Sequence, residues 1–139
     1  MDASEKCKEI DNITQKFLAG EKYNFSNLTP SQLEDKLPCV YAIFDKLSGE
    51  TLYVGRTKNL RQRLYNKHLM GPTTNARLKK YLIDDQRDFP QITNLDQAKL
   101  YLKENCYFQF VPEYNTRLRG QIEGMLSYVL DVKFIHEEH

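Results

Sequence analysis

Tryptophan is absent from these 139 residues. No apolar run approaches the roughly 18 residues that a membrane-spanning helix needs. Cysteine is sparse: Cys7, Cys39 and Cys106 stand far apart with no CxxC pair, which argues against a disulfide framework or a thiolate zinc site. The opening MDASEKCKEIDN has no apolar signal-peptide core. Together these absences set the expectation of a cytoplasmic protein with no membrane association. No Walker loop, nucleophile elbow, internal repeat or low-complexity tract occurs either. With 40% hydrophobic and 28% charged residues, the composition is that of an ordinary globular protein, and the length suits one domain with a real core.

A net charge of only +1 announces no polyanionic partner, but its distribution does. Between Arg56 and Lys80 lie eight of the chain's 20 Lys and Arg (Arg56, Lys58, Arg61, Arg63, Lys67, Arg77, Lys79, Lys80) and none of its 19 Asp and Glu. The plain reading of such a block is a solvated helical face. Set in an otherwise acidic chain, it is also the footprint of a surface that steers polyanions.

Residues 1–37 read as a helical preface. Ile10, Ile13, Phe17 and Leu18 fall near helical spacing, and Gly20 ends the pattern. Thr29-Pro30-Ser31-Gln32 has the form of a capping box, with Leu33 and Leu37 placed to dock a short helix. Strands are predicted at 38–45, 50–55 and 107–111, the first two joined by the turn Lys46-Leu47-Ser48-Gly49. A loop symmetric about Leu47 would make Tyr41 and Tyr53 direct cross-strand neighbours. Either tyrosine alone reads as a strand aromatic of the core.

Gly55 is expected to make a tight strand-to-helix turn, with a helix from about Lys58 to Leu69. At 3.6 residues per turn it stacks Asn59, Arg63 and Lys67 on one stripe, with Leu60 and Leu64 toward the core. Thr73–Ile83 reads as a second helix with Arg77, Lys79 and Lys80 facing solvent. Asn94 and Gln97 cap a third, and Tyr114–Leu130 is a fourth, whose apolar stripe is Leu118, Ile122, Met125, Leu126 and Val129. Glu123 follows that stripe on the helical wheel. An acid there is either paired with an arginine or holding a cation. His136 and His139 stand three apart, a spacing a metal could use, although a frayed tail is the plainer reading.

Val40-Tyr41, then Tyr53-Val54-Gly55 across a hairpin, then Arg56-Thr57-Lys58-Asn59-Leu60-Arg61-Gln62-Arg63-Leu64 resembles the GIY-YIG nuclease superfamily. The likeness covers about 38–131, leaving 1–37 as an N-terminal helical extension and 132–139 as a tail. It implies an α+β fold, a small three-stranded antiparallel sheet flanked by helices. It implies an endonuclease that hydrolyses phosphodiester bonds with Mg²⁺ or Mn²⁺, on nucleic acid, with DNA favoured over RNA. It leaves open a homodimer or a partner protein. Carried over by position, Tyr41 and Tyr53 are the motif tyrosines, Arg63 is the phosphate-contacting arginine, and Glu123 is the sole protein ligand of the metal. The chain departs from the pattern at Cys39, which stands where the first motif has glycine, and at two valines replacing isoleucines. Relatives often carry a histidine or tyrosine one helical turn after the arginine. Here Lys67 stands there and His68 one further on, and both are candidates. Many members also have an asparagine downstream of the glutamate, for which this chain offers only Asp131.

The mechanism so implied makes Tyr41 the general base and lets Tyr53 orient the water or phosphate. Arg63 neutralises charge on the non-bridging oxygens, and the metal on Glu123 stabilises the leaving oxygen. Arg56, Lys58, Arg77 and Lys79 would track the backbone with little sequence preference. The competing expectation is a nucleic-acid-binding module on the same scaffold that has lost catalysis.

Overall fold

Val40-Tyr41-Ala42-Ile43-Phe44 has no polar side, so a strand made of it must be covered on both faces. In the computed structural model, which describes residues 1–72 and 76–135, it is the heart of a four-stranded antiparallel sheet. The strands are β1 (Tyr23–Asn24), β2 (Cys39–Asp45), β3 (Thr51–Thr57) and β4 (Cys106–Pro112), in the order β1-β4-β2-β3. Every residue of β2 is buried.

The two faces carry separate cores. Tyr41, Ile43 and Phe108 share one with Leu60, Leu64, Leu78 and Leu102. Val40, Ala42 and Phe44 share the other with Phe17, Ile122 and Leu126. The helices sort accordingly. α1 (Ala3–Leu18) and α4 (Thr116–Val129) cover the second face. α2 (Leu78–Asp84), α3 (Leu95–Asn105) and the helix that follows β3 cover the first.

Local chemistry starts these helices where the sequence marks them. The Asn94 side chain accepts from the Gln97 N–H at 2.9 Å, while the Gln97 side chain accepts from the Thr93 N–H at 2.7 Å. Asn115 caps α4 by accepting from the Leu118 N–H at 2.9 Å. At Thr29 the Gln32 side chain does accept the backbone N–H, at 2.8 Å, but the segment closes as a single 3₁₀ turn, Pro30–Gln32. Leu33 and Leu37 are buried, as their spacing suggests.

Two expectations change. The sheet has a fourth strand, because the extended chain leaving α1 pairs Tyr23 with Phe108 and stacks their rings 5.3 Å apart. A two-residue strand has no periodicity to read. The hairpin register also differs. Tyr41 pairs with Gly55, and Tyr53 pairs with Ile43. The hairpin closes with Phe44 opposite Thr51, and a bulge between Ile43 and Phe44 adds a further residue of offset. Tyr41 and Tyr53 are therefore diagonal neighbours on one face, their rings stacked with centroids 6.3 Å apart.

Beyond α4 the chain turns at Asp131 (φ 51°) and runs beside β3. The Lys133 N–H donates to the Thr51 carbonyl at 2.8 Å and the Phe134 N–H to that of Leu52 at 3.1 Å. Lys133 Nζ is held by Glu50, Asp85 and Asp88, and the Phe134 ring stacks on Tyr81. His136 and His139, and the expected start of a helix at Thr73, lie outside the described residues. Among the described residues, no helix is long and apolar enough to cross a membrane.

Candidate active site

Gly55 does not turn the chain into a helix; it lies inside β3, and its work is steric. A Cβ built there would stand 2.4 Å from Tyr41 Oη and 2.5 Å from Cζ, so the Tyr41 ring occupies the space a side chain would need. Pressed over this glycine, Tyr41 is only 1% exposed. Tyr53, two residues nearer the hairpin, is half-buried and reaches the surface.

The helix after β3 begins at Leu60, and from Gln62 to Leu69 it is π-wound. The Met70 N–H reaches back five residues to the Tyr65 carbonyl, at 3.0 Å. A π turn spans one residue more than an α turn, so the residue one turn after Arg63 is His68 rather than Lys67. His68 is fully buried, and its Nε2 lies 2.7 Å from Tyr41 Oη. Its ring also meets the Tyr41 and Tyr53 rings edge-on, at 5.3 and 5.1 Å. Lys67 remains partly exposed. The 3.6-residue period used on the sequence was thus wrong for this helix, and the two candidates separate on that account.

Burial, with help from the Arg63 and Lys79 charges, lowers the His68 pKa to about 3, so the imidazole is neutral at physiological pH. Burial likewise pushes both phenols up: Tyr41 well above its usual value, with Tyr53 adding to the effect, and Tyr53 with Tyr81 adding to it. The Arg63 guanidinium pulls both phenols back down, which sets it electrostatically beside the pair.

From the other face of the sheet, α4 brings Glu123 to the same edge strand. Tyr53, Val54, Arg77, Tyr81, Glu123, Ser127 and Phe134, with Val132 and Ile135, line a cleft of about 330 Å³. Glu123 is half-buried and lies 3.9 Å from Arg56 Nε. Desolvation raises its pKa, and Arg56 works against that rise. Arg56 can reach across α4 because residue 120 is glycine, where a Cβ would overlap the guanidinium.

Asp131, the alternative offered for the downstream asparagine, is exposed and does not line this cleft; its left-handed backbone ends α4. The polar group one turn beyond Glu123 is Ser127, whose hydroxyl donates to the Glu123 carbonyl at 2.8 Å. Sequence reasoning missed Ser127, Tyr81 and Phe134. Spacing from Glu123 could have found the first. The aromatic wall arises only from the path of the chain beyond α4.

Of the cations expected to contact phosphate, Arg56, Lys58 and Arg77 are exposed. Lys79 is not: it is fully buried, and its ammonium donates to backbone carbonyls at the end of the π-wound helix. The expectation that it faces solvent is corrected. The lysine points inward because its ammonium takes those carbonyls as partners.

Residues 37–102 match the family model described as the GIY-YIG catalytic domain. That match supports a small GIY-YIG superfamily member. No curated protein and no solved structure gives a significant match. The matched segment contains both tyrosines, Arg63, His68 and the basic block, and it stops before β4 and α4, so Glu123 lies outside it and meets Tyr53 only through the fold. Domains of this type belong to nucleases acting on nucleic acid.

The GIY-YIG nucleases generally depend on a divalent metal. Among the described residues no three His, Cys, Asp or Glu side chains gather, so an all-protein metal cage is not built here. A hard cation that keeps most of its waters needs only one or two carboxylates and the substrate's own phosphate. Glu123 fits that case: it is a single carboxylate at an open cleft, and burial already disfavours its charge in the absence of a cation.

Proposed function

We propose that this protein is a divalent-metal-dependent endonuclease that hydrolyses phosphodiester bonds, with DNA as its substrate. The observation that carries the reading is the convergence of Tyr53, Arg77 and Glu123 on one cleft, backed by the Tyr41–His68 pair. Mg²⁺ or Mn²⁺ held by Glu123 would supply Lewis-acid stabilisation of the leaving oxygen.

The chain's own residues divide the remaining work. Arg63 and Arg77 bind the scissile phosphate and neutralise charge that develops on its non-bridging oxygens. Tyr53, the phenol open to the cleft, stays protonated because burial raises its pKa, and it orients the attacking water by hydrogen bonding while the proton that the water loses passes to solvent at the cleft mouth. Tyr41, first expected as the base, is too enclosed to meet water and instead backs Tyr53 while bonded to His68. A neutral His68 can exchange a hydrogen bond with that phenol without adding a buried charge. Arg56 and Lys58 hold flanking phosphates, which makes binding salt-sensitive. The aromatic and aliphatic wall of Tyr81, Val132 and Phe134 keeps the cleft partly dry.

The test is nicking of supercoiled plasmid with Mg²⁺ or Mn²⁺, native protein against Glu123→Ala, with plasmid binding measured in parallel. Metal-dependent nicking lost in the variant, with binding retained, supports the nuclease. Plasmid bound but nicked by neither protein would move the assignment to a binding module on the same scaffold. No binding at all would remove nucleic acid as the partner.

A further inference from the structure

Lys79 belongs to the basic block by sequence and to the interior by structure. Its Nζ donates to the carbonyl oxygens of Lys67 at 3.2 Å and Leu69 at 3.5 Å, and to that of Gly71. An ammonium has three protons and no acceptor, so three converging carbonyls match its bonding capacity. Those carbonyls lie at a helix C-terminus, where the backbone leaves acceptors without intrahelical partners and the helix dipole favours a cation. Gly71 makes the convergence possible, since a Cβ there would stand 2.7 Å from the Lys67 carbonyl oxygen.

His68 sits between two of the three tethered residues. Its Nε2 meets Tyr41, and its Nδ1 is buried with no hydrogen-bond partner among the described residues. Among the described residues its only directional partners are Tyr41 and the aromatic edges, so where the backbone places the ring decides whether it meets them. The helix has two windings to choose from. In the α winding Lys67 would stand one turn after Arg63; in the π winding His68 does.

We propose that Lys79 is a positioning residue: by drawing the Lys67, Leu69 and Gly71 carbonyls onto one ammonium, it holds the π winding that seats His68 against Tyr41. Burial and the Lys99 ammonium lower its pKa to about 8, so it keeps its charge at neutral pH. That charge also helps keep the neighbouring imidazole neutral. The consequence for turnover rests on the nuclease reading; the consequence for His68 does not.

The experiment uses full-length protein with ¹⁵N-labelled histidine, with the His68 ring signals assigned by their loss in His68→Gln. In the native protein the His68 ring stays unprotonated from pH 8 down to pH 5 and its Nε2 reports the hydrogen bond to Tyr41. Lys79→Met, of similar length and without charge, is expected to lose that bond and to let His68 titrate near ~6.5, as a free imidazole does. Where nicking is measurable, kcat should fall about tenfold to 100-fold with KM unchanged, as for a misplaced catalytic group.

Gly71→Ala is the second variant: it keeps the ammonium and displaces one of its acceptors, and it should shift the same His68 signals by less. A folded Lys79→Met protein that melts earlier, yet keeps His68 unprotonated and bonded to Tyr41, would overturn the proposal and leave Lys79 a merely stabilising residue. If Lys79→Met does not fold, unchanged His68 signals in Gly71→Ala do the same. A native protein that nicks nothing defeats the nuclease reading, while the ring signals still decide the role of Lys79.

Discussion

The two walls that meet at the β3 edge are built on opposite principles. On the π-helix side, Tyr41, His68 and Lys79 are sealed from solvent and bonded to one another or to backbone. On the α4 side, Glu123 and Arg56 form a loose 3.9 Å pair, each partly open to water. A sealed wall sets geometry, because packed side chains in a low-dielectric interior have few alternatives. An open wall can exchange its partner, because a half-exposed ion pair is held weakly. In the proposed reaction, substrate and cation would meet the second wall, and the first would hold the alignment that makes their arrival productive.

That contrast can be broken by substitution. Glu123→Gln should cut metal-dependent nicking by about 100-fold or more, since even residues behind a metal ligand commonly cost 10- to 100-fold. Its urea midpoint should stay close to native, because a half-exposed side chain contributes little to stability. A large loss of stability would mean that Glu123 belongs to the structural wall after all.

The glycines offer a matched pair on the two walls. Gly55→Ala forces a methyl against the enclosed Tyr41 ring and should cost about 1–3 kcal/mol of unfolding free energy, read by urea denaturation. Gly120→Ala meets only the tip of an exposed Arg56, which can swing away, and Ala favours the helix. It should be neutral or stabilising by up to about 1 kcal/mol. Equal costs at the two sites would erase the distinction.

Acid should act through the sealed wall. His68 in the fold refuses a proton down to about pH 3, whereas an unfolded imidazole accepts one near ~6.5. The unfolded chain therefore binds more protons across that window, and this site's contribution to stability falls as pH drops through it, by at most about 1.4 kcal/mol per pH unit. His68→Gln should flatten the fall in urea midpoint between pH 6.5 and 4. The smallest effect is expected at Lys58→Ala, which should lower the slope of log affinity against log salt by about 1 and leave nicking chemistry intact.

Much of the first wall was legible residue by residue. The apolar run Val40–Phe44, the cap Asn94, and the Tyr-Val-Gly followed by a basic helix all carry local patterns that survive folding. What was not legible shares one cause. The bulge that shifts Tyr41 onto Gly55, the π winding that exchanges Lys67 for His68, and the inward turn of Lys79 each add or reorient one residue. Ideal periods of 2 and 3.6 cannot register such changes.

By itself the sequence determined the α+β class, the family of the hairpin and helix, and the chemical types assembled at the edge of the sheet. Those follow from periodicity, turn chemistry and a spaced motif, all of them short-range properties of the chain. Only the tertiary structure decided which tyrosine faces the cleft, which of two neighbouring residues meets Tyr41, and which cation of the basic block is buried. Those choices turn on steric exclusion at Gly55 and on satisfying carbonyls at a helix end, and both depend on segments brought together from different parts of the chain.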